Sequence, residues 1–395
     1  MAALNYAVQY NASLAQMFPY VLYFGRLYAT PNNGRYRMGE DGHSVKIARL
    51  TVGGRVDASR DTIGTAARNY DNNWETKDLT NQRKWSTLVH PKDIDQTKMV
   101  ATIENITTEM NNTQKFPEMD AYTISKIYAD WRGQNYAPDI ATLTVDNVLS
   151  VFDMLMQRAD EKRVPLTGRV LYVLPAVQRL LKNATGISRS INAQQNNGVI
   201  DRLVQSLDTV EIVSVPNELM KTLYSFANGW VPSASAKQIQ MALIHPLSVI
   251  TPVSYEFASL EAPGPMTEGK YVYYEESHED VFILNAKADA IQFVMADAGA
   301  AGAITVASAA GTETAGDTVI TVNGTKESGT TLAYKIAASA IAAPGLGEVP
   351  SGYTAFASGA TLAGQTASQY IRVVELNADG KVIATGTALL TVKAA

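Results

Sequence analysis

The chain has 395 residues, enough for about two or three domains with buried cores. Its 33 basic and 38 acidic side chains leave a net charge of −5, which excludes a strongly basic nucleic-acid binder that grips phosphates with clustered Lys and Arg. It has no cysteine, so disulfides, thiolate nucleophiles and cysteine-held metals are excluded, and no apolar run approaches the roughly 20 residues that span a bilayer.

Residues 2–28 form an apolar and aromatic arm whose first charged side chain is Arg26. The absence of a basic start and the interruptions at Asn5, Gln9, Asn11 and Gln16 argue against a signal peptide. Residues 34–89 read as a long, polar, extended excursion. Its outgoing strand covers 44–52, Gly53 and Gly54 allow a turn, and a single return strand covers 74–89. Such a loop has no core of its own inside a compact domain and reads as a functional arm. Next, Met99, Ile103, Ile106 and Met110 recur at helical spacing. The pattern is interrupted by Pro117 and resumes through Met119, Tyr122, Ile127 and Trp131, as two helices or one kinked helix.

Residues 140–255 alternate helix and strand. Helices are expected at 145–159, 176–182 and 199–207, and strands at 169–174, 210–215 and 240–244. The nearly unbroken apolar run 169–174 fits a strand buried on both faces. Strands at 271–276, 280–284 and 290–294 follow, giving an α+β architecture. Composition changes near residue 296: every Trp, His and Met lies before it, and an Ala/Gly-rich stretch, 296–303, follows. That stretch reads as a flexible link to a second module. The tail reads as a small all-β sandwich: residues 318–322 are β-branched, Asn323–Gly324 suits a tight hairpin turn, and 331–336 is the expected partner strand. A further strand at 371–376 leads through Asn377-Ala378-Asp379-Gly380 to a strand beginning at Lys381.

The chemistry-bearing motifs are sparse. Gly264-Pro265-Met266-Thr267-Glu268-Gly269-Lys270 has the spacing of a phosphate loop. Tyr271 stands where the Mg²⁺-binding hydroxyl belongs, and the residues after it are strand-like, so a connector is the better reading. Glu276, His278 and Asp280 would share a strand face with ligand types suited to a divalent cation, although a solvated face or subunit contact is the commoner origin of such a cluster. His90 and His245 each precede a proline, which places them at strand ends or turns. The five Asn-x-Ser/Thr sequons read as coincidental in a chain rich in Asn and Thr. No catalytic, cofactor-binding or metal site is expected, which points to a structural role.

The order of arm, extended loop, long helix, α/β body and returning strands resembles the major capsid protein of tailed double-stranded DNA bacteriophages. The resemblance is carried by Phe116-Pro117-Glu118-Met119-Asp120-Ala121-Tyr122-Thr123-Ile124-Ser125-Lys126, by Arg169-Val170-Leu171-Tyr172-Val173-Leu174-Pro175, and by Tyr271-Val272-Tyr273-Tyr274-Glu275 through Asp280-Val281-Phe282-Ile283-Leu284. It covers residues 1 to about 296 and rests on the order of these stretches. The fold it implies has an N-terminal arm (1–33), an extended loop (34–92), a spine helix and peripheral domain (93–139), an axial domain (140–260) and peripheral return strands (261–296). The tail (297–395) then resembles an immunoglobulin-like appendage.

The resemblance further implies a virion protein, assembled in the host bacterial cytoplasm into hexamers and pentamers of an icosahedral head. Its implied partners are other copies of itself, a separate scaffolding protein, a portal protein and packaged DNA contacted without sequence specificity, with no membrane. Intersubunit contacts are then expected from Arg49, Trp74, Glu75, Lys77, Asp78, Arg83, Lys84 and Trp85 in the loop. The alternatives are an encapsulin-like nanocompartment shell, which stores an enzyme cargo, and a surface-layer or adhesin protein.

Overall fold

The structure, a computed structural model, describes residues 20–40, 42–57, 68–96, 102–184, 206–325 and 329–394. The chain divides into two compact units, one of residues 1–117 and 249–282 and the other of 118–248 and 283–395. The expected helix around Met99 falls partly outside the described residues.

In the first unit, Ser44–Val52 pairs antiparallel with Tyr70–Asp78 in unbroken register from Ser44 opposite Asp78 to Val52 opposite Tyr70. Short Tyr36–Met38 adds to the base of this hairpin. The single return strand expected at 74–89 is two strands. Tyr70–Asp78 completes the hairpin, while Gln82–Val89 joins a second sheet in the order Val253–Glu261, Tyr271–Glu279, Gln82–Val89. The break has a physical cause at residues 79–81. The Leu79 side chain is buried, its N–H donates to the His43 carbonyl (2.7 Å), and Thr80 donates through its N–H to Asp280 Oδ2 (2.8 Å). Each half of the return thus satisfies its backbone in a different sheet. The returning strand 271–276 also runs longer, as Tyr271–Glu279, with Phe282–Ile283 after it.

Ile103–Met110 is a helix that begins on Thr102, whose hydroxyl accepts from Asn105 N–H. One π-turn, Asn111–Lys115, then joins it to the helix Phe116–Gly133. The Phe116 N–H reaches back to the Asn111 carbonyl. Pro117 has no N–H to offer, and the wider turn just before it lets the helix run on where the sequence implied an interruption.

The second unit is built on a six-stranded sheet ordered Asp139–Ile140, Ile291–Met295, Ile239–Ile244, Val170–Val173, Val210–Ser214, Ser206–Leu207. Every residue of Val170–Val173 and Ile291–Met295 is buried, the signature of strands covered on both faces. Helix Val148–Glu161 buries Val148, Phe152, Leu155, Met156 and Ala159, and helix Pro175–Asn183 buries Val177 and Leu181. Arg169, 1% exposed, binds the Asp160 carboxylate and the Val164 and Pro165 carbonyls, tying the end of the first helix to the start of the central strand.

The expected helix at 199–207 lies mostly outside the described residues, and its end is strand instead. Ser206–Leu207 pairs with Val210–Ser214 across Asp208 and Thr209, both at positive φ, so a tight turn replaces the helical continuation.

The C-terminal module is a two-sheet β-sandwich. One sheet is ordered Gly302–Ala303, Val382–Leu389, Tyr370–Leu376, Thr331–Ala337, Thr354–Phe356; the other is Thr305–Ala310, Thr318–Asn323, Ala360–Leu362. Ile304, Ile320, Val322, Ile371, Val373, Ala384 and Leu390 fill the core between them. The expected hairpin of 318–322 with 331–336 does not form. Thr318–Asn323 pairs with Thr305–Ala310 and Ala360–Leu362, while Thr331–Ala337 lies in the opposite sheet. Gly324 has the positive φ that a turn demands, but the chain crosses to the other sheet there, which lets Ile320 and Val322 face Ile371 and Val373. The turn at 377–380 is as expected, with Asn377 Oδ1 accepting from Asp379 and Lys381 N–H.

The Ala/Gly-rich stretch is ordered rather than a flexible link. Gly302–Ala303 pairs parallel with Ala384 and Thr385, and Ala300 bridges to Gly345. Small residues make this approach feasible: a Cβ on Gly302 would sit 3.2 Å from the Ile383 carbonyl.

Candidate subunit interface

The hairpin Ser44–Val52/Tyr70–Asp78 is exposed on both faces over most of its length. Leu50 and Val52 are 64% and 67% exposed, and Tyr70 and Trp74 also face solvent. A lone two-stranded hairpin is marginal in water, because it buries too little apolar surface to offset the ordering of its backbone. Five of the loop residues expected to make intersubunit contacts lie on it. Arg49, Trp74 and Asp78 are exposed, while Glu75 and Lys77 pair along the strand at 3.2 Å. The remaining three lie on the second sheet: Lys84 is exposed, Arg83 half-buried, and Trp85 packs on the Tyr273 ring at 5.7 Å.

That second sheet has two unlike faces. One carries Trp85, Tyr273 and Glu275, with Glu275 ion-paired to Lys115 at 3.3 Å. Burial, aided by a hydrogen bond to Glu275, pushes the Tyr273 hydroxyl up to about 12. The other face carries Tyr255, Phe257, Tyr274, Glu276 and Leu88, as the registers require. Tyr274 and Gln82 both donate to Glu276, which holds its carboxyl below the usual carboxylate range.

The two acids weighed as cation ligands already accept hydrogen bonds. Glu276 serves Tyr274 and Gln82, Asp280 accepts from Thr80 and Val281, and buried His278 lies 5.1 Å from the His43 ring. The phosphate-loop look-alike at 264–270 is the connection between Val253–Glu261 and Tyr271–Glu279, with Thr267 Oγ1 accepting from Gly264 N–H. Val253–Glu261 is a strand beyond those expected from the sequence, although Val253-Ser254-Tyr255-Glu256-Phe257 alternates apolar and polar as a half-buried strand does.

In the second unit a buried charge cluster joins the C-terminal module to the edge of the six-stranded sheet. Lys381 Nζ lies 2.7 Å from Asp139 Oδ1 and donates to the Ala137 carbonyl, while Arg158 Nη1 lies 2.5 Å from Asp139 Oδ2. Burial lowers the Lys381 amine from the ordinary lysine range, Asp139 opposing this and Arg158 adding to it. A cavity of about 80 Å³ beside the cluster is lined by Trp131, Tyr136, Asp289, Gln292 and others. Tyr136 donates to Asp289, and burial and that bond raise its hydroxyl.

A solved structure of the capsid of the cyanophage P-SCSP1u superposes on 71% of this chain and 89% of its own, with a TM-score of 0.53 at 14% identity. The chain has the fold of that capsid. The chain is also similar to the mature capsid of bacteriophage PhiM1 (TM-score 0.47, 13% identity, 65% of this chain and 83% of that one). Mycobacterium phage Che8 gives a TM-score of 0.46 at 12% identity, over 69% of this chain and 90% of that one. In the added module, residues 309–392 match the family described as the S-layer protein SbsC C-terminal domain. No curated protein matches the sequence. The fold class expected from the sequence, a capsid α+β body with a C-terminal β-sandwich, is the one found.

Proposed function

We propose that the chain is the major shell subunit of a phage head, with a structural and not a catalytic role. The observation that carries this is the exposed hairpin Ser44–Val52/Tyr70–Asp78, whose apolar side chains gain cover when a neighbouring copy lies beneath it. Its fold, shared with the cyanophage capsid, supports the same reading. Residues 34–92 then act as the extended loop, 1–33 as the arm, and 93–139 with 261–296 as spine and peripheral domain. Residues 140–260 surround the local symmetry axis, and 297–395 is the added sandwich. Copies form hexamers and pentamers that close around double-stranded DNA held without sequence readout. A scaffolding protein and a portal take part in assembly in the host cytoplasm. The eight residues Arg49, Trp74, Glu75, Lys77, Asp78, Arg83, Lys84 and Trp85 contribute to contacts between copies, where charged pairs set register more than they add affinity.

Negative-stain electron microscopy and sedimentation of the expressed protein test this. Closed shells or capsomers are expected; a 42.6 kDa monomer at every concentration would overturn it. The match of residues 309–392 to an S-layer domain favours a second reading, a surface-array protein. It reaches only the module, and flat sheets in the same micrographs would favour it over a shell.

A further inference from the structure

Val253–Glu261 is a nine-residue edge strand. Its inner side pairs with Tyr271–Glu279, and among the described residues no backbone hydrogen bond runs from its outer side. Edge strands of this length are usually blunted by bulges, proline or inward charges, because an open row of N–H and C=O groups recruits another strand. Here the one irregularity lies between Val253 and Tyr255, leaving 255–261 in regular extended register. Tyr255 and Phe257 are 49% and 44% exposed, and their rings stack at 6.4 Å with an interplanar angle of 11°.

We infer that this edge is a two-fold contact, pairing antiparallel with the same edge of a second copy about Phe257. The charge pattern argues for that occupant. Antiparallel pairing centred on residue 257 sets Tyr255 opposite Ser259, and Glu256 opposite Ala258 of the partner strand. The Glu256 carboxylates therefore never oppose each other, and Glu261 lies at the far end, opposite Val253. Like charges directly across a ladder destabilise it, and this register has none. Directly opposed residues share a face, so the rings of Tyr255 and Phe257 from both copies form one aromatic strip that removes their exposed area from water. A C2 contact of this kind is self-complementary, the commonest symmetry of protein association. It rests on the shell reading only in requiring that copies meet.

The chain has no cysteine, so introduced thiols report the contact without background. Opposed Cα atoms in an antiparallel ladder are about 4.5–5.5 Å apart, within the range a disulfide spans. Full-length Phe257→Cys under mild oxidation should give a disulfide dimer on a non-reducing gel. Leu260→Cys, more exposed than Phe257 but opposite Ser254 rather than its own copy, should remain monomeric. A mixture of the single variants Tyr255→Cys and Ser259→Cys should cross-link more fully than either alone, which guards against misfolding of the Phe257 variant. The pairing is overturned if Phe257→Cys and the mixture stay uncrosslinked, or if Leu260→Cys cross-links as fully. It is also overturned if Phe257→Cys cross-links only to a copy carrying Trp74→Cys, which would make the hairpin the occupant. Shells without the dimer would refute the pairing and leave the shell reading standing; the dimer without shells would do the reverse.

Discussion

Lys381 Nζ lies 2.7 Å from Asp139 Oδ1, and the two residues come from opposite ends of the second unit, one in a turn of the C-terminal sandwich and one in the outermost strand of the six-stranded sheet. The lysine is 4% exposed, and Arg158 holds the other oxygen of the same carboxylate. Beside them Gly347, at φ +81°, packs so closely that a Cβ there would approach the Pro138 carbonyl within 2.4 Å. The sandwich is thus fixed to the sheet edge, not hung from it.

Lys381→Met should destabilise the unit by about 1–3 kcal/mol, because it removes a buried charge-assisted hydrogen bond and the donor to the Ala137 carbonyl, while Arg158 still pairs with Asp139. Chemical denaturation of wild type and variant checks this. The variant should also show protease cleavage within 296–303, where the wild type resists it. If the two proteins melt alike, the pair contributes nothing to holding the module.

Gly347→Ala should weaken the same junction by a different route, combining left-handed backbone strain with the clash at Pro138. A loss of about 1–3 kcal/mol is expected, as for overpacked sites generally. Gly359→Ala is the comparison: its φ is also positive (+86°) but nothing lies within 4 Å of its Cβ, so strain alone operates and the loss should be smaller.

The His245 ring stands at the end of Ile239–Ile244, with Nδ1 accepting from Leu247 N–H (3.1 Å) and Nε2 3.1 Å from the Thr167 carbonyl. Burial lowers its pKa from the ordinary imidazole value; the Thr167 carbonyl opposes this, and the charges of Arg169 and Lys287 reinforce it. The unfolded chain therefore takes up the proton first as pH falls. The stability contribution is complete above about pH 6.5 and is lost as pH drops through the lowered folded value. Denaturation midpoints between pH 7 and 5 should fall for the wild type and flatten for His245→Asn. An unchanged slope in the variant would assign the pH dependence to other groups.

Much of this architecture was legible in the sequence because burial leaves a periodic trace. The outgoing strand 44–52 matches Ser44–Val52 residue for residue, and the apolar run at 169–174 contains the fully buried Val170–Val173. What the sequence hid were choices between partners. Nothing local tells whether 74–89 breaks at Leu79, because the break depends on Asp280, some 200 residues away. Asn323–Gly324 looks like any hairpin turn, yet the pairing of the flanking strands is decided by which sheet completes the core around Ile320 and Ile371. Lys381 and Asp139 carry no motif, and only the fold brings them together. The candidate contact residues were partly visible: the charged and Trp positions of the hairpin stood out, while Leu50, Val52, Tyr255 and Phe257 look like core residues until their exposure is known.

The hairpin provides the sharpest separation of folding from assembly. Trp74 packs little against its own chain, being 45% exposed, and its cross-strand neighbour is Ala48. Trp74→Ala should therefore change the stability of the isolated subunit by no more than about 0.5 kcal/mol, the usual range for exposed sites. At an interface between copies the same truncation removes a large aromatic anchor, and such residues dominate association energies at about 2 kcal/mol or more each. Because every shell repeats the contact many times, closed particles should be lost or confined to much higher protein concentration while the circular dichroism melt stays put. Arg49→Ala, on the same hairpin but contributing a rim charge, should slow assembly at low salt and matter less as salt rises, since exposed charges are screened beyond about 10 Å at 0.1 M. Light scattering against salt separates the two variants. If Trp74→Ala assembles like wild type, the hairpin does not cover a neighbour through this ring.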